Sequence, residues 1–195
     1  MSENPVNQHS SSEAVSATPE AAPLLPAGLR AGIVVGNPKP ASRTFQAAGR
    51  LVAELTGRAA DPAVDLATFG AGLLDWSDAE ANAAVETVRG LDLVVFASPT
   101  YKASYTGLLK LFLDRFGSNA LEGVVAVPLM LGAGPGHALA PEVFRKPVLA
   151  ELGAVLPTRA LYVLDSQFDQ PSAYEPWLAA ARPRIAAALR AGGAG

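Results

Sequence analysis

The stretch Gly36-Asn37-Pro38-Lys39-Pro40-Ala41-Ser42-Arg43-Thr44 gathers two hydroxyls, a guanidinium and a side-chain amide between an apolar run and a helical pattern. A helix start presents unpaired amides and the positive end of the helix dipole, which together attract an anion such as a phosphate. Ser42 suits the N-cap position, Ser42 and Thr44 add hydroxyl donors, and Arg43 adds a charged donor for phosphate oxygens. The residues alone fit two readings equally. One is a phosphate cradle; the other is an ordinary loop capped by Ser42, with Arg43 solvated.

Two further stretches fit a flat, partly charged ligand. Ser98-Pro-Thr-Tyr-Lys-Ala-Ser-Tyr-Thr-Gly107 follows the strongest apolar run in the chain. A flavin requires a flat slot, donors for its pyrimidine edge and a neighbour that tolerates negative charge on the reduced ring. Pro99 and Tyr101 can shape the slot, Thr100 can donate, and Lys102 can sit near the edge that becomes anionic. The alternative has Tyr101 and Tyr105 packing half-buried and Lys102 as a surface charge. Leu131-Gly-Ala-Gly-Pro-Gly-His137 carries little side chain before His137, so its backbone can approach a flat ligand closely. His137 is read as structural in the first instance, with donation to a flavin or a phosphate as its functional alternative.

Other chemistries are excluded by what is missing. With no cysteine there is no disulfide, thiolate metal site or thiol nucleophile, and with His9 and His137 as the two histidines a multi-histidine metal centre is not expected. Neither a Gly-x-Ser-x-Gly elbow nor a Walker phosphate loop is present. Gly132-Ala-Gly134-Pro-Gly136 brings its third glycine one residue too early for a dinucleotide fingerprint. A net charge of −3, without Lys/Arg runs, gives no nucleic-acid surface. No apolar run reaches the roughly 20 residues of a membrane-spanning helix. The first 27 residues lack Lys and Arg and carry Glu3, Glu13 and Glu20, unlike a signal peptide. A soluble, cytoplasmic protein is the expectation.

These stretches must be positioned by the rest of the chain. Residues 1–27, rich in Ser, Ala, Pro and Glu, read as a disordered tail, and 28–191 as one domain. Within that domain strands and helices alternate. Strands are expected at about Arg30–Val35, Ala63–Ala67, Leu91–Ala97, Val124–Leu131 and Leu156–Leu164. Helices are expected at Arg43–Leu55, Asp78–Arg89, Gly107–Phe116, Pro141–Leu152 and Glu175–Arg190. Pro128 interrupts the fourth strand with a missing ladder donor. Such alternation implies an α/β fold with a parallel sheet covered on both faces. By analogy it is a flavodoxin-like three-layer sandwich, with five parallel strands in the order 2-1-3-4-5. Ligands then bind beyond the carboxyl ends of the strands, where these loops lie.

Taken together, Gly36-x-Pro-x-Pro-x-Ser-Arg-Thr44, Ser98-Pro-Thr-Tyr-Lys102, the glycine-rich loop ending at His137 and Asp165-Ser-Gln167 resemble the NADPH-dependent FMN reductases. The resemblance is nearest to the sulfonate-utilisation branch and runs in order from about Arg30 to Asp169. It implies that Ser42, Arg43 and Thr44 hold the FMN phosphate, with Asn37 standing where the family usually has serine. It further implies that Pro99, Thr100, Tyr101 and Lys102 line the ring and that Gly132, Ala133 and Gly134 flank it. Leu131 and Ala133 replace a more polar turn. Val143 lies near a position where the closest branch has a tyrosine in an interrupted helix at a subunit interface. Asp165 and Gln167 match the family, but the sequence gives them no physical role. The implied activity is hydride transfer from NAD(P)H to FMN without a catalytic side chain. Reduced flavin would pass to a partner monooxygenase, and the chain would form a homodimer or homotetramer. Alternatives are a reductase of quinones, azo dyes or metal oxyanions that keeps its FMN, and a flavin-binding electron carrier.

Overall fold

The computed structural model describes residues 25–26 and 28–192. Five strands form one parallel sheet: β1 (Ala31–Val35), β2 (Ala63–Asp65), β3 (Leu93–Pro99), β4 (Val125–Gly132) and β5 (Leu161–Leu164). Their order is β2-β1-β3-β4-β5, the flavodoxin-like arrangement that the alternation implies. Helices α1 (Arg43–Thr56) and α5 (Glu175–Gly192) cover one face. The other face carries α2 (Ala79–Arg89), α3 (Gly107–Leu113) and α4 (Lys146–Glu151).

The strands are apolar on both sides because both sides are covered; every residue of β1 and of β4 is buried. Helix α1 turns Ala47, Ala48, Leu51, Val52 and Leu55 onto the sheet, and all five are fully buried. Its start is fixed by Ser42, whose Oγ accepts from the Phe45 amide at 3.2 Å. Gly57 ends it at φ 73°, and the Gly57 amide donates to Ala53 O at 2.8 Å.

Several boundaries differ from the sequence reading, each for an identifiable reason. Strand β2 stops at Asp65, whose carboxylate turns to accept from the Ala67 and Ala41 amides. The expected strand Leu156–Leu164 is regular only from Leu161. The Ala126 amide donates towards this edge, to Val155 O at 2.9 Å, so the next position facing it is Pro128, which has no amide hydrogen. The chain bridges β4 at Val155, leaves it, and rejoins where Leu161 pairs with Leu129. The helix expected over Pro141–Leu152 begins as a π-helical turn, Pro141–Arg145, in which the Lys146 amide donates to Pro141 O. Pro147 has no amide hydrogen for an ordinary bond to Val143 O, and α4 proper covers only Lys146–Glu151.

The tail expected over residues 1–27 lies outside the described residues except for Leu25 and Pro26. Leu25 is buried, and its amide donates to Leu55 O at 3.0 Å. The folded unit therefore extends at least to Leu25. Among the described residues no helix is long and apolar enough to cross a membrane, and no cluster of metal-ligating side chains occurs.

Candidate active site

Parallel strands bring their carboxyl ends to one edge, so the loops after β1, β3 and β4 leave the sheet side by side. Specific bonds then tie them together. The Gly36 amide donates to Ala97 O at 2.9 Å, and the Thr106 hydroxyl donates to Gly36 O. The Thr100 amide donates to Leu131 O at 2.7 Å. Beyond β4, the Tyr162 hydroxyl on β5 donates to Gly134 O at 2.7 Å. Burial raises the Tyr162 phenol above its ordinary pKa, which keeps that proton in place. All three predicted stretches thus meet at one edge.

The β1–α1 loop is organised by its own polar groups. Asn37 Nδ2 donates to Thr44 Oγ1 at 3.0 Å, and Asn37 Oδ1 accepts from the Lys39 amide at 3.0 Å. Thr44 and Ser42 are buried, whereas Arg43 is exposed at the helix start. Arg43 forms an ion pair with Asp165, and its guanidinium lies 5.7 Å from the Phe168 ring centroid. Asp65 accepts from the Ala41 amide at 2.9 Å and pins the loop to β2.

The β3–α3 loop is built differently. Tyr101 and Ser104 exchange backbone bonds of 2.8 and 3.1 Å across Lys102 and Ala103. Both central residues have positive φ, 50° and 66°, so the turn needs a left-handed conformation that side chains with a Cβ resist. The turn leaves Tyr101 about half exposed and Lys102 exposed. The buried Ser98 Oγ accepts from the Thr106 amide at 3.0 Å, and Thr106 Oγ1 accepts from the Leu109 amide at 3.2 Å, capping α3. Pro99 and Thr100 are half-buried, and the Thr100 hydroxyl is buried with no hydrogen-bond partner among the described residues.

In the β4–α4 loop, Ala133 and His137 are exposed. A Cβ on Gly134 or Gly136 would meet nothing within 4 Å, so this backbone is open to a neighbour. Gly132 is different: a Cβ there would lie 2.7 Å from the Tyr162 ring carbon and 3.2 Å from Thr100 Oγ1. Its glycine is required by close approach.

The sequence reading missed Asp65, Thr106 and Tyr162, and it left Asp165 without a role. Thr106 carried a usable signal, a threonine directly before an apolar helical run. The other three are contributed by distant parts of the chain and have no local signature.

The chain matches the NADPH-dependent FMN reductase family over residues 29–169. It is 30% identical over 156 residues to the NADH-dependent FMN reductase SfnF of Pseudomonas putida, covering 76% of this chain and 84% of that protein. It is 39% identical over 82 residues to an FMN reductase (NADPH) of Escherichia coli (strain K12); that match spans 42% of this chain and only 43% of the relative. Among solved structures, an NADH:FMN oxidoreductase (EMOB) in its apo form superposes with a TM-score of 0.68 at 28% identity, covering 84% of this chain and 88% of that one. The family match takes in all three loops and the Asp165 turn that pairs with Arg43, and so the chain belongs to the NADPH-dependent FMN reductase family.

Proposed function

We propose that this chain, an NAD(P)H:FMN oxidoreductase by its family, binds FMN across the loops after β1, β3 and β4 and supplies reduced FMN to a partner monooxygenase. The observation that carries the site is the seam between the second and third loops. There the buried Thr100 hydroxyl, without a hydrogen-bond partner among the described residues, lies against the closely packed Gly132, while the backbone of Gly134 and Gly136 beyond it has open space around it. A buried hydroxyl without a partner costs about 1–3 kcal/mol, and a ligand with a hydrogen-bonding edge can offset that cost.

The residues present fit FMN. Arg43 and the unpaired amides at the start of α1 would take the phosphate, with Arg43 exchanging the Asp165 carboxylate for phosphate oxygens. Ser42, Thr44 and Asn37 hold that loop in shape. Pro99, Thr100, Tyr101 and Lys102 would line the ring, and Gly132, Ala133 and Gly134 would flank it, with His137 at the rim. When bound, FMN would supply the hydride-accepting ring, which takes on one added negative charge when NAD(P)H gives up its hydride. The chain's contribution is orientation and charge compensation, with no proton transfer assigned to a side chain.

The exposed Tyr101, Ala133 and His137 leave this edge open in the single chain, which supports FMN that comes and goes as a substrate. Exposed Leu139, Val143 and Phe144 around the π-helical turn support a homodimer or homotetramer through that face.

The test is oxidation of NADH and of NADPH in air, with and without added FMN. Strong, saturable stimulation by free FMN, and loss of FMN on gel filtration, is the expected result. A yellow protein that keeps its FMN and needs none added would move the assignment to a quinone, azo-dye or metal-oxyanion reductase. No oxidation of either nucleotide at saturating FMN would overturn the reading as a reductase.

A further inference from the structure

Arg145 is the largest fully buried side chain of the described structure. It ends the π-helical turn and reaches onto the α3/α4 face of the sheet. Its Nη1 donates to the backbone carbonyls of Phe96 on β3 and Leu129 on β4, the latter at 2.8 Å. The guanidinium lies 5.5 Å from the centroid of the Tyr105 ring. Its Nε and Nη2 are buried without a hydrogen-bond partner among the described residues. Among the described residues no carboxylate forms an ion pair with it.

A buried charge is ordinarily paired, because removal from water is costly. Two carbonyls and an aromatic face compensate only part of that cost. Burial lowers the Arg145 pKa to about 9, so the group still carries its positive charge at neutral pH. The guanidinium is therefore a buried cation with no counter-charge among the described residues. Its location is specific: Phe96 and Leu129 each stand three residues before the last residue of their strand, Pro99 and Gly132. At about 3.3 Å per residue the carbonyls it holds are roughly 10 Å from the strand ends. Tyr105, which covers the guanidinium, belongs to the loop after β3 itself. A field from a buried charge acts through a low-dielectric interior and is little screened by salt.

We propose that Arg145 is a positioning residue for charge: from beneath the sheet edge it stabilises the reduced, anionic form of bound FMN relative to the oxidised form. The inference rests on the reading that FMN lies at the ends of β3 and β4. It adds that the cation which matters most to the reduced ring is the one that never touches it. Lys102, at the surface, is screened by water and salt in a way that Arg145 is not.

The test compares dissociation constants for oxidised FMN and for anaerobically reduced FMN, in the unaltered protein, in Arg145→Gln and in Arg145→Lys. Gln keeps donors for the carbonyls and removes the charge, whereas Lys carries the charge only while protonated, and burial lowers its pKa. The oxidised-to-reduced ratio should fall about tenfold in Gln, equivalent to about 30 mV on a two-electron couple, and in Lys should approach the Gln value as rising pH neutralises the amine. In the unaltered protein the ratio should hold from about 0.05 to about 0.5 M salt, because a buried charge is not screened. A purely structural role would weaken both forms equally and leave the ratio unchanged in Gln, which overturns the inference while FMN binding stands. A ratio that collapses in salt would transfer the effect to surface charges and overturn it without any variant. Failure of the unaltered protein to bind either form would overturn the FMN site together with this inference.

Discussion

The loops after β1 and β3 reach the same edge of the sheet but are finished in opposite ways. In the first, Asn37, Ser42, Thr44, Asp65 and Asp165 hold one another or the local backbone, and Arg43 has an ion-pair partner. In the second, two non-glycine residues take positive φ against one, Ala41, in the first; Tyr101 stands half exposed, and the Thr100 hydroxyl has no partner among the described residues. The first loop uses its polar groups on its own shape, as the proposed phosphate site requires. The second has more positive-φ backbone and an unsatisfied group, as the proposed ring site requires.

Four substitutions can break or sharpen that contrast. Arg43→Ala should have the largest effect, removing one charge-assisted contact worth roughly 1.5–3 kcal/mol, so FMN affinity falls about tenfold or more. Its pair with Asp165 is exposed and contributes roughly 0–1 kcal/mol to folding, so thermal melting should barely move. Unchanged affinity by titration would mean that the phosphate lies elsewhere. Gly36→Ala attacks the junction between the two loops: a Cβ there would sit 2.9 Å from Leu109 Cα. Overpacking of this kind costs about 1–3 kcal/mol. Denaturant unfolding should show that loss along with weaker FMN binding.

Ser42→Ala removes the cap on the Phe45 amide and should cost about 1 kcal/mol of stability. If the loss appears in FMN affinity alone, Ser42 acts on the ligand and not on the helix. The smallest effect has the opposite sign. Ala103→Gly relaxes one positive-φ residue, worth about 1–2 kcal/mol, but adds about 0.4–1 kcal/mol of unfolded-chain freedom, so it should stabilise by about 0.5 kcal/mol and raise Tm by roughly 1–2 °C. A fall in Tm would show that the turn after β3 is not strained as its backbone indicates.

Local pattern made the three-layer fold and the three loops legible. Helix α1 could be read from Ser42 and the spacing of Ala47, Ala48, Leu51, Val52 and Leu55, since one face must be apolar and the start must be capped. What escaped depended on contacts across the sheet. The early end of β2 comes from Asp65 turning to cap its neighbours. The short β5 comes from the missing amide of Pro128 on the strand beside it. Asp165 could be matched to a family motif without a role, because its partner Arg43 lies 122 residues earlier.

The sequence by itself determined the alternation of strands and helices, the parallel sheet and the stretches able to take a phosphate and a flat ring. Each follows from periodicity and from the conformational limits of Pro, Gly and the capping residues, which act over a few neighbours. Tertiary structure decided which polar groups are satisfied. Arg43 meets Asp165, Tyr162 meets Gly134, the Thr100 hydroxyl meets no partner among the described residues, and Arg145 is enclosed as a cation between two strands and an aromatic ring. Hydrogen bonding and desolvation depend on which distant atoms come within a few ångströms, and no local pattern of residues carries that distance.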